Sequence, residues 1–405
     1  MQNLSARIAM LVIAFGFFIS CTPRYESTLT STTNLTVDEL LDRAAELRQT
    51  NPDDPAAHQL EATAYLRTAR TKSPDLREND YKAMKIAFDN ALIGYSAKSN
   101  GSAERTSILE NIESAWSFEH NIAAGLVSSD SINSNQQLSL AAVHAHNAII
   151  ILPDSLISYE LLADTYTRMG NIDLAINVLT FADSTLSIQA GRTHESLAFL
   201  YYSKGDFENA VTWYEKAFTW NRSLINDPSD PSITELTKGS LLNIWHGLIN
   251  AYLAARQTEK AIEALEELVQ TYPSNSSYRL LLSRQLVVRL GEILDSNETS
   301  DRGVIINTLD QINTLASNDP EFKLNNAISL TEIAGRIIES RLQESEPFDA
   351  AANLDIMLIC ESAIETYKEV LEIDPTNPSA ISGIADIYLL IDNETEASKW
   401  YELLD

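Results

Sequence analysis

Apolar residues recur along this chain at helical spacing, in blocks interrupted by short polar turns. One block, "LADTYTRMGNIDLAINVLTFAD", starts at Leu162, and another, "LAFLYYSKGDFENAVTWYEKAF", starts at Leu197. Laid one on the other, Leu162 meets Leu197, Ala163 meets Ala198, Tyr166 meets Tyr201, Gly170 meets Gly205, Ala175 meets Ala210 and Ala182 meets Ala217, each pair 35 residues apart. In both blocks the apolar run stops at a Gly followed by Asn or Asp (Gly170-Asn171, Gly205-Asp206) and then resumes. Glycine tolerates the backbone of a tight turn, and a short polar side chain caps the next helix. Each block is therefore predicted to be two antiparallel helices joined by a turn.

The same rhythm extends beyond these two blocks. A Tyr followed nine positions later by an Ala occurs at Tyr166, Tyr201, Tyr252 and Tyr388, reaching Ala175, Ala210, Ala261 and Ala397. Second-helix patterns are predicted in "LAAVHAHNAIIILPD" (Ala141, Ala145, Ala148, Pro153), with Trp116 on the helix before it, and in "ESAIETYKEVLEIDPTNPSA" (Ala363, Tyr367, Val370, Pro375). Upstream, "PAAHQLEATAYLRTA" reads as a first helix between two second helices, "VDELLDRAAELRQTNPDDP" and "YKAMKIAFDNAL".

The order of residue types resembles the tetratricopeptide repeat, most fully at Trp245, Leu248, Tyr252, Ala261, Leu265 and Pro273. That resemblance implies an all-α solenoid of stacked antiparallel helical hairpins, about seven of them between residues 36 and 405, with a long concave face. The strongest repeats are expected at 156–190, 191–225 and 242–275 within a solenoid covering 36–293, followed by an irregular segment at 294–322 and further repeats at 323–405. An insertion is expected around "SLINDPSDPSITELTKGS", covering 226–241, since Tyr201 and Tyr252 are 51 residues apart. Insertions of this kind tend to gather on one face. The last second helix is expected to end at Asp405, and that end reads either as a docking surface or as a helix made polar enough by Glu396, Lys399 and Glu402.

In the resembled family, ligand-facing side chains come from fixed positions of the first helix. Transferred to this chain, the resemblance selects Glu160, Asp164 and Arg168, with Ile157 and Thr167, in one repeat. It selects Arg192, Glu195, Phe199 and Tyr202, with Ser203, in the next, and Asn243, His246 and Asn250, with Leu253 and Ala254, in a third. The subgroup that grips a peptide's terminal carboxylate needs Lys and Asn where this chain has Glu160 and Asp164, so that function is not transferred. Phe199 and Tyr202 either stack on an apolar or extended partner segment or pack against the neighbouring hairpin.

The first residues carry a separate signal. Arg7 precedes an unbroken apolar run from Ile8 to Ile19, followed by Ser20 and Cys21. The run is too short for a transmembrane helix and reads as a signal peptide over residues 1–20. Phe18-Ile19-Ser20-Cys21 resembles the lipobox of bacterial lipoprotein precursors, which implies cleavage before Cys21 and lipidation of its thiol; the alternative is an ordinary cleaved signal. Residues 21–35, rich in Ser and Thr, then form a tether. Thr22 after the cysteine favours the outer membrane by the same resemblance, and the expected location is its periplasmic side, the cell surface being the other candidate.

Composition narrows the partner class. The 405 residues include 29 Lys and Arg against 57 Asp and Glu, a formal charge of −28, which opposes binding to nucleic-acid phosphates or anionic lipid head groups. The acidic surplus either solvates the outer face or meets a client with basic or extended segments. Only two cysteines exist, so no disulfide framework is expected, and Cys360 lies in an apolar helical stretch as a small buried hydrophobe. His144 and His146 point in different directions on one helix, and His194-Glu195 lacks the second His of a zinc-protease helix. No metal, cofactor or catalytic constellation is predicted. The expected function is a lipid-anchored scaffold for protein interactions in envelope assembly. The alternative is a glycan-capture lipoprotein working with an outer-membrane transporter. Oligomeric state is not encoded in any pattern found.

Overall fold

Capping side chains set many of the helix ends in the computed structural model. It describes residues 34–98, 101–128, 134–186, 190–225, 231–295, 302–316, 319–342 and 353–404. The signal segment, Cys21 and most of the expected tether lie outside these residues. Contacts divide the chain into two compact units, 1–182 and 183–405. The first holds α1 (Val37–Thr50), α2 (Pro55–Thr71), a 3₁₀ turn (Pro74–Leu76), α3 (Glu78–Ser96), α4 (Ser102–Ser128), α5 (Asn135–Ile151), α6 (Leu156–Arg168) and most of α7 (Ile172–Thr185). The second holds α8 (Ala190–Lys204), α9 (Phe207–Ile225), α10 (Pro231–Ala254), α11 (Thr258–Thr271), α12 (Ser276–Asp295), α13 (Arg302–Leu315), α14 (Pro320–Leu342), α15 (Leu354–Ile373), α16 (Pro378–Leu390) and α17 (Glu394–Tyr401).

Thr36 begins α1 with a reciprocal cap, its hydroxyl accepting from the Glu39 amide at 3.2 Å while the Glu39 carboxylate accepts from the Thr36 amide at 2.7 Å. Ser134 and Gln137 cap α5 in the same way. Asp54-Pro55 and Asn377-Pro378 start α2 and α16 with a capping side chain followed by proline, whose missing N–H costs nothing in the first turn.

Every described helix is α or 3₁₀, and helices pack against their neighbours in sequence and next but one, as α8 on α9, α9 on α10 and α8 on α10. The architecture is all-α, with antiparallel hairpins stacked within each unit. Among the described residues eight hairpins, from α2/α3 to α16/α17, follow the single helix α1, against an expectation of about seven. The second helix of the α12/α13 hairpin comes from residues expected to be irregular. Segment 294–322 contains α13, which buries Ile305, Leu309 and Ile312 on one face. Its apolar spacing is helical but short, and polar residues on either side hide it. The expected insertion at 226–241 is likewise partly helix, because α10 starts at Pro231, about three turns before the repeat pattern does.

One turn geometry serves four hairpins. Gly170, Gly205, Arg256 and Asp392 each follow a repeat Tyr by four positions, and all have positive φ, 77°, 84°, 56° and 59°. The next amide returns to the Tyr carbonyl in each case: Asn171 to Tyr166 at 2.8 Å, Asp206 to Tyr201 at 3.0 Å, Gln257 to Tyr252 at 2.8 Å and Asn393 to Tyr388 at 2.8 Å. These bonds satisfy carbonyls that the end of the first helix would leave unpaired. Two of the four turns accept a residue with a Cβ in the left-handed region.

Small residues occupy the crossings. Ala175, Ala182, Ala198, Ala210, Ala217 and Ala261 are all completely buried. Between successive hairpins a different size match operates. Gly247 on α10 lies under the ring of Tyr214 on α9, and Gly383 on α16 lies under Tyr367 on α15; a Cβ built on either glycine would overlap the tyrosine ring. Both glycines precede their repeat Tyr by five positions, and both tyrosines follow their repeat Ala by four.

The first unit is pinned by a buried charge. Glu119 on α4 is fully buried and accepts from Arg77 Nη1 at 2.7 Å and the Tyr81 hydroxyl at 2.5 Å, with His144 Nδ1 2.6 Å from its other oxygen. Burial alone would raise its pKa, but the bonds from His144, Tyr81 and Arg77 outweigh it and hold the carboxyl below the ordinary 4.5. The same carboxylate and burial push the Tyr81 hydroxyl up. The network ties α3, α4, α5 and the 3₁₀ turn together.

Three outcomes are expected from denaturant unfolding of single variants. Gly247→Ala loses about 1 to 3 kcal/mol to overpacking against Tyr214, although Gly→Ala in an open helix gains about 1 kcal/mol; Arg256→Gly, in the same hairpin, gains about 1 kcal/mol by relieving the left-handed Cβ. Glu119→Gln leaves Arg77 buried without a counter-charge and costs about 3 to 5 kcal/mol at neutral pH. Because the folded Glu119 pKa lies below the unfolded one, its contribution is complete above about 4.5 and disappears as pH falls through the folded value, so wild type and variant converge in acid.

Candidate functional site

First-helix side chains carry the predicted interaction surface, and helical spacing places Glu160, Asp164 and Arg168 on one face of α6. All three belong to the first unit. Arg168 Nε pairs with Asp164 at 3.0 Å, and Arg168 Nη1 donates to the Val127 carbonyl in the last turn of α4 at 3.2 Å. A guanidinium at a helix C-terminus is favourable for the helix dipole. Burial raises the Asp164 carboxyl above its ordinary value, and Arg168 only partly reverses this. Asp164 and Arg168 therefore join α6 to α4, in addition to any ligand role. Glu160 is half-buried beside them.

The second unit carries the rest. On α8, Glu195 is half-buried and Phe199 is 38% exposed, large for a phenyl ring on a structured helix. Tyr202 is half-buried, with its ring edge-on to Phe207 of the same hairpin at 5.4 Å between centroids. The side chain of Arg192 lies outside those described. Ser240 Oγ on α10 donates to Glu195 Oε2 at 3.5 Å, a long bond that nonetheless brings the first helices of consecutive hairpins together. On α10 itself Asn243 and His246 are half-buried and Asn250 is exposed. His246 Nε2 lies 3.0 Å from the Tyr278 hydroxyl on α12, and burial lowers the His246 pKa. Thus α8 offers Glu195 and Phe199 and α10 offers Asn243, His246 and Asn250 along neighbouring first helices, with Tyr202 turned toward its own hairpin.

A cleft of about 690 Å³ opens beside His246, lined by Leu242, Thr271, Tyr272, Asn275 and Tyr278 among others. Tyr272 is 40% exposed, and its ring meets Tyr278 edge-on at 6.0 Å. Counting first-helix positions misses this cleft because its wall is the loop between hairpins. Its sequence signal is the paired tyrosines in "TYPSNSSY", where Pro273 reads only as the end of a repeat.

Of the titratable residues considered for chemistry, His144, His194 and Cys360 are engaged structurally, and His146 is exposed. His144 is in the buried Glu119 network. His194 Nε2 pairs with Asp183 at 2.9 Å, and its ring lies against Trp213 at 5.4 Å. Burial pushes the Cys360 thiol up to about 12, which removes it as a nucleophile near neutral pH. Among the described residues no three His, Cys, Asp or Glu side chains gather as metal ligands, and no helix is long and apolar enough to cross a membrane.

Comparison with known proteins matches the tetratricopeptide repeat family at residues 191–224 and again at 242–284. The matched segments are the α8/α9 hairpin and the region from α10 into α12. No curated protein matches the chain by sequence. Among solved structures, a repeat protein from Bacteroides fragilis is 13% identical, covering 62% of this chain and 98% of its own at a TM-score of 0.33. The C-terminal part of a repeat-containing protein from Cytophaga hutchinsonii is 13% identical, covering 86% and 94% at 0.30. A domain pair of yeast Sti1, solved in complex with an Hsp90 peptide, is 14% identical, covering 72% and 90% at 0.30.

Proposed function

Since this chain is a tetratricopeptide-repeat protein, we propose that it is a protein-interaction scaffold, held at a bacterial envelope by a lipid on Cys21 and performing no chemistry itself. The supporting observation is Phe199, a 38% exposed phenyl ring flanked by Glu195 on the first helix of a matched repeat. An aromatic ring beside a carboxylate suits an extended partner segment with apolar and basic residues. The apolar run before Cys21 and the Ser- and Thr-rich stretch after it support export and tethering, with the periplasmic side of the outer membrane as the favoured location. In that position the repeats organise other envelope proteins.

The Tyr272–Tyr278 cleft favours a second reading, glycan capture. Its exposed aromatic ring and polar Thr, Ser and Asn lining match the faces and hydroxyls of a sugar. Calorimetry with oligosaccharides separates the two readings: heat of binding abolished by Tyr272→Ala supports capture and weakens the scaffold.

The scaffold reading predicts two outcomes in cells. Combined Glu195→Ala, Phe199→Ala and Tyr202→Ala removes specific crosslinked partners identified by mass spectrometry, while the thermal midpoint stays within a few degrees. Cys21→Ser moves the chain from the membrane to the soluble fraction. Unchanged crosslinks in a folded triple variant eliminate the first-helix face, and unchanged membrane recovery eliminates the lipid.

A further inference from the structure

On the opposite helices of the same hairpins, α9 and α11 border a second groove, of about 460 Å³. Its floor is aromatic and immobilised. Trp245 donates its indole N–H to the Ala264 carbonyl at 3.2 Å, and Tyr252 donates to Glu215 at 2.8 Å. Phe218 and Leu248 complete the apolar surface, and Glu215, Glu263 and Glu267 stand on the rim.

Two of the chain's own cations already use this chemistry. Lys260 Nζ lies 5.4 Å from the Tyr252 ring centroid and 3.1 Å from Glu215 Oε1. Arg222 Cζ lies 5.6 Å from the Phe218 ring centroid, and its Nη2 is 2.7 Å from Glu267 Oε1. In both, a cation rests over an aromatic face while a carboxylate neutralises it, a combination stronger than either contact alone. Glu263, one turn from Glu267 on α11, is exposed and makes no ion pair among the described residues.

We propose that this groove is a docking site for an arginine side chain of an extended segment in a protein partner. Glu263 takes the guanidinium, and the half-exposed Phe218 ring takes its methylenes. Glu267 and Glu215 are already paired with Arg222 and Lys260, so the incoming cation is left to Glu263. Arginine fits better than lysine because its planar fork engages one carboxylate through two parallel N–H bonds, where an ammonium is a point charge. The overall charge of −28 favours a basic protein segment and opposes phosphate-bearing lipids or nucleic acid at the same place. The proposal rests on the scaffold reading but assigns a different surface from the Phe199 face.

The test uses the full chain and a fluorescein-labelled peptide, acetyl-Gly-Ser-Arg-Ser-Gly-amide, followed by fluorescence polarisation at low salt. Expected is saturable binding that citrulline in place of arginine abolishes and that Glu263→Gln weakens by about tenfold, as loss of a charge-assisted bidentate pair implies. Glu394→Gln, at an exposed site on α17, leaves it unchanged. No binding at millimolar peptide overturns the proposal. So does equal binding of the citrulline peptide, or equal loss in Glu263→Gln and Glu394→Gln, which would mark general attraction to an acidic protein. Any of these results together with intact crosslinking through the Phe199 face removes the groove and leaves the scaffold reading standing.

Discussion

The close crossing of paired helices at alanine is the constraint from which the rest of the structure follows. Ala175, Ala210 and Ala261 on the second helices are each fully buried, and side chains this small let paired helices approach closely. That approach fixes the hairpin angle, and a sharp reversal is then needed to bring the second helix back. The left-handed residue four after each repeat Tyr supplies it. Successive hairpins must next find their register, and Tyr214 over Gly247 and Tyr367 over Gly383 show how: a large ring from one hairpin seats on a missing side chain of the next. Local size matching, repeated, replaces the single core of a globular domain.

Where these devices are spelled in standard residues, the fold was legible. Gly170 and Gly205 announced their turns, whereas Arg256 and Asp392 adopt the same backbone with residues that seldom take it, and only their spacing from Tyr252 and Tyr388 betrays them. Helix α13 was missed because Ile305, Leu309 and Ile312 form one short stripe between polar stretches, without the Tyr-to-Ala spacing. The early start of α10 was missed for a different reason. Pro231 punctuates a loop and opens a helix equally well, and the surrounding polar residues favoured the loop. Glu119 gave no warning at all, since a glutamate in an acidic chain looks solvated until Arg77 and Tyr81 from the start of α3 and His144 from α5 are brought around it.

The candidate surface was legible by position and less so by role. Phe199 and Asn250 are exposed, but Arg168 reaches back to the Val127 carbonyl of the preceding hairpin, and Tyr202 rests on Phe207 across the turn of its own hairpin. The Tyr272 cleft is walled by the loop between hairpins, and the α9–α11 groove joins second-helix residues to Trp245, Leu248 and Tyr252 of α10, positions that repeat counting does not select. The repeats thus present two kinds of surface, one from first-helix positions and one where second helices border the next first helix.

The account is tested most directly by equilibrium unfolding of Ala210→Leu beside Thr212→Leu, an exposed position on the same helix. If alanine is required for the crossing, the first variant loses about 1 to 3 kcal/mol through overpacking while the second stays within about 0.5 kcal/mol of wild type. Equal stability of the two variants would contradict the claim that close helix approach organises the stack.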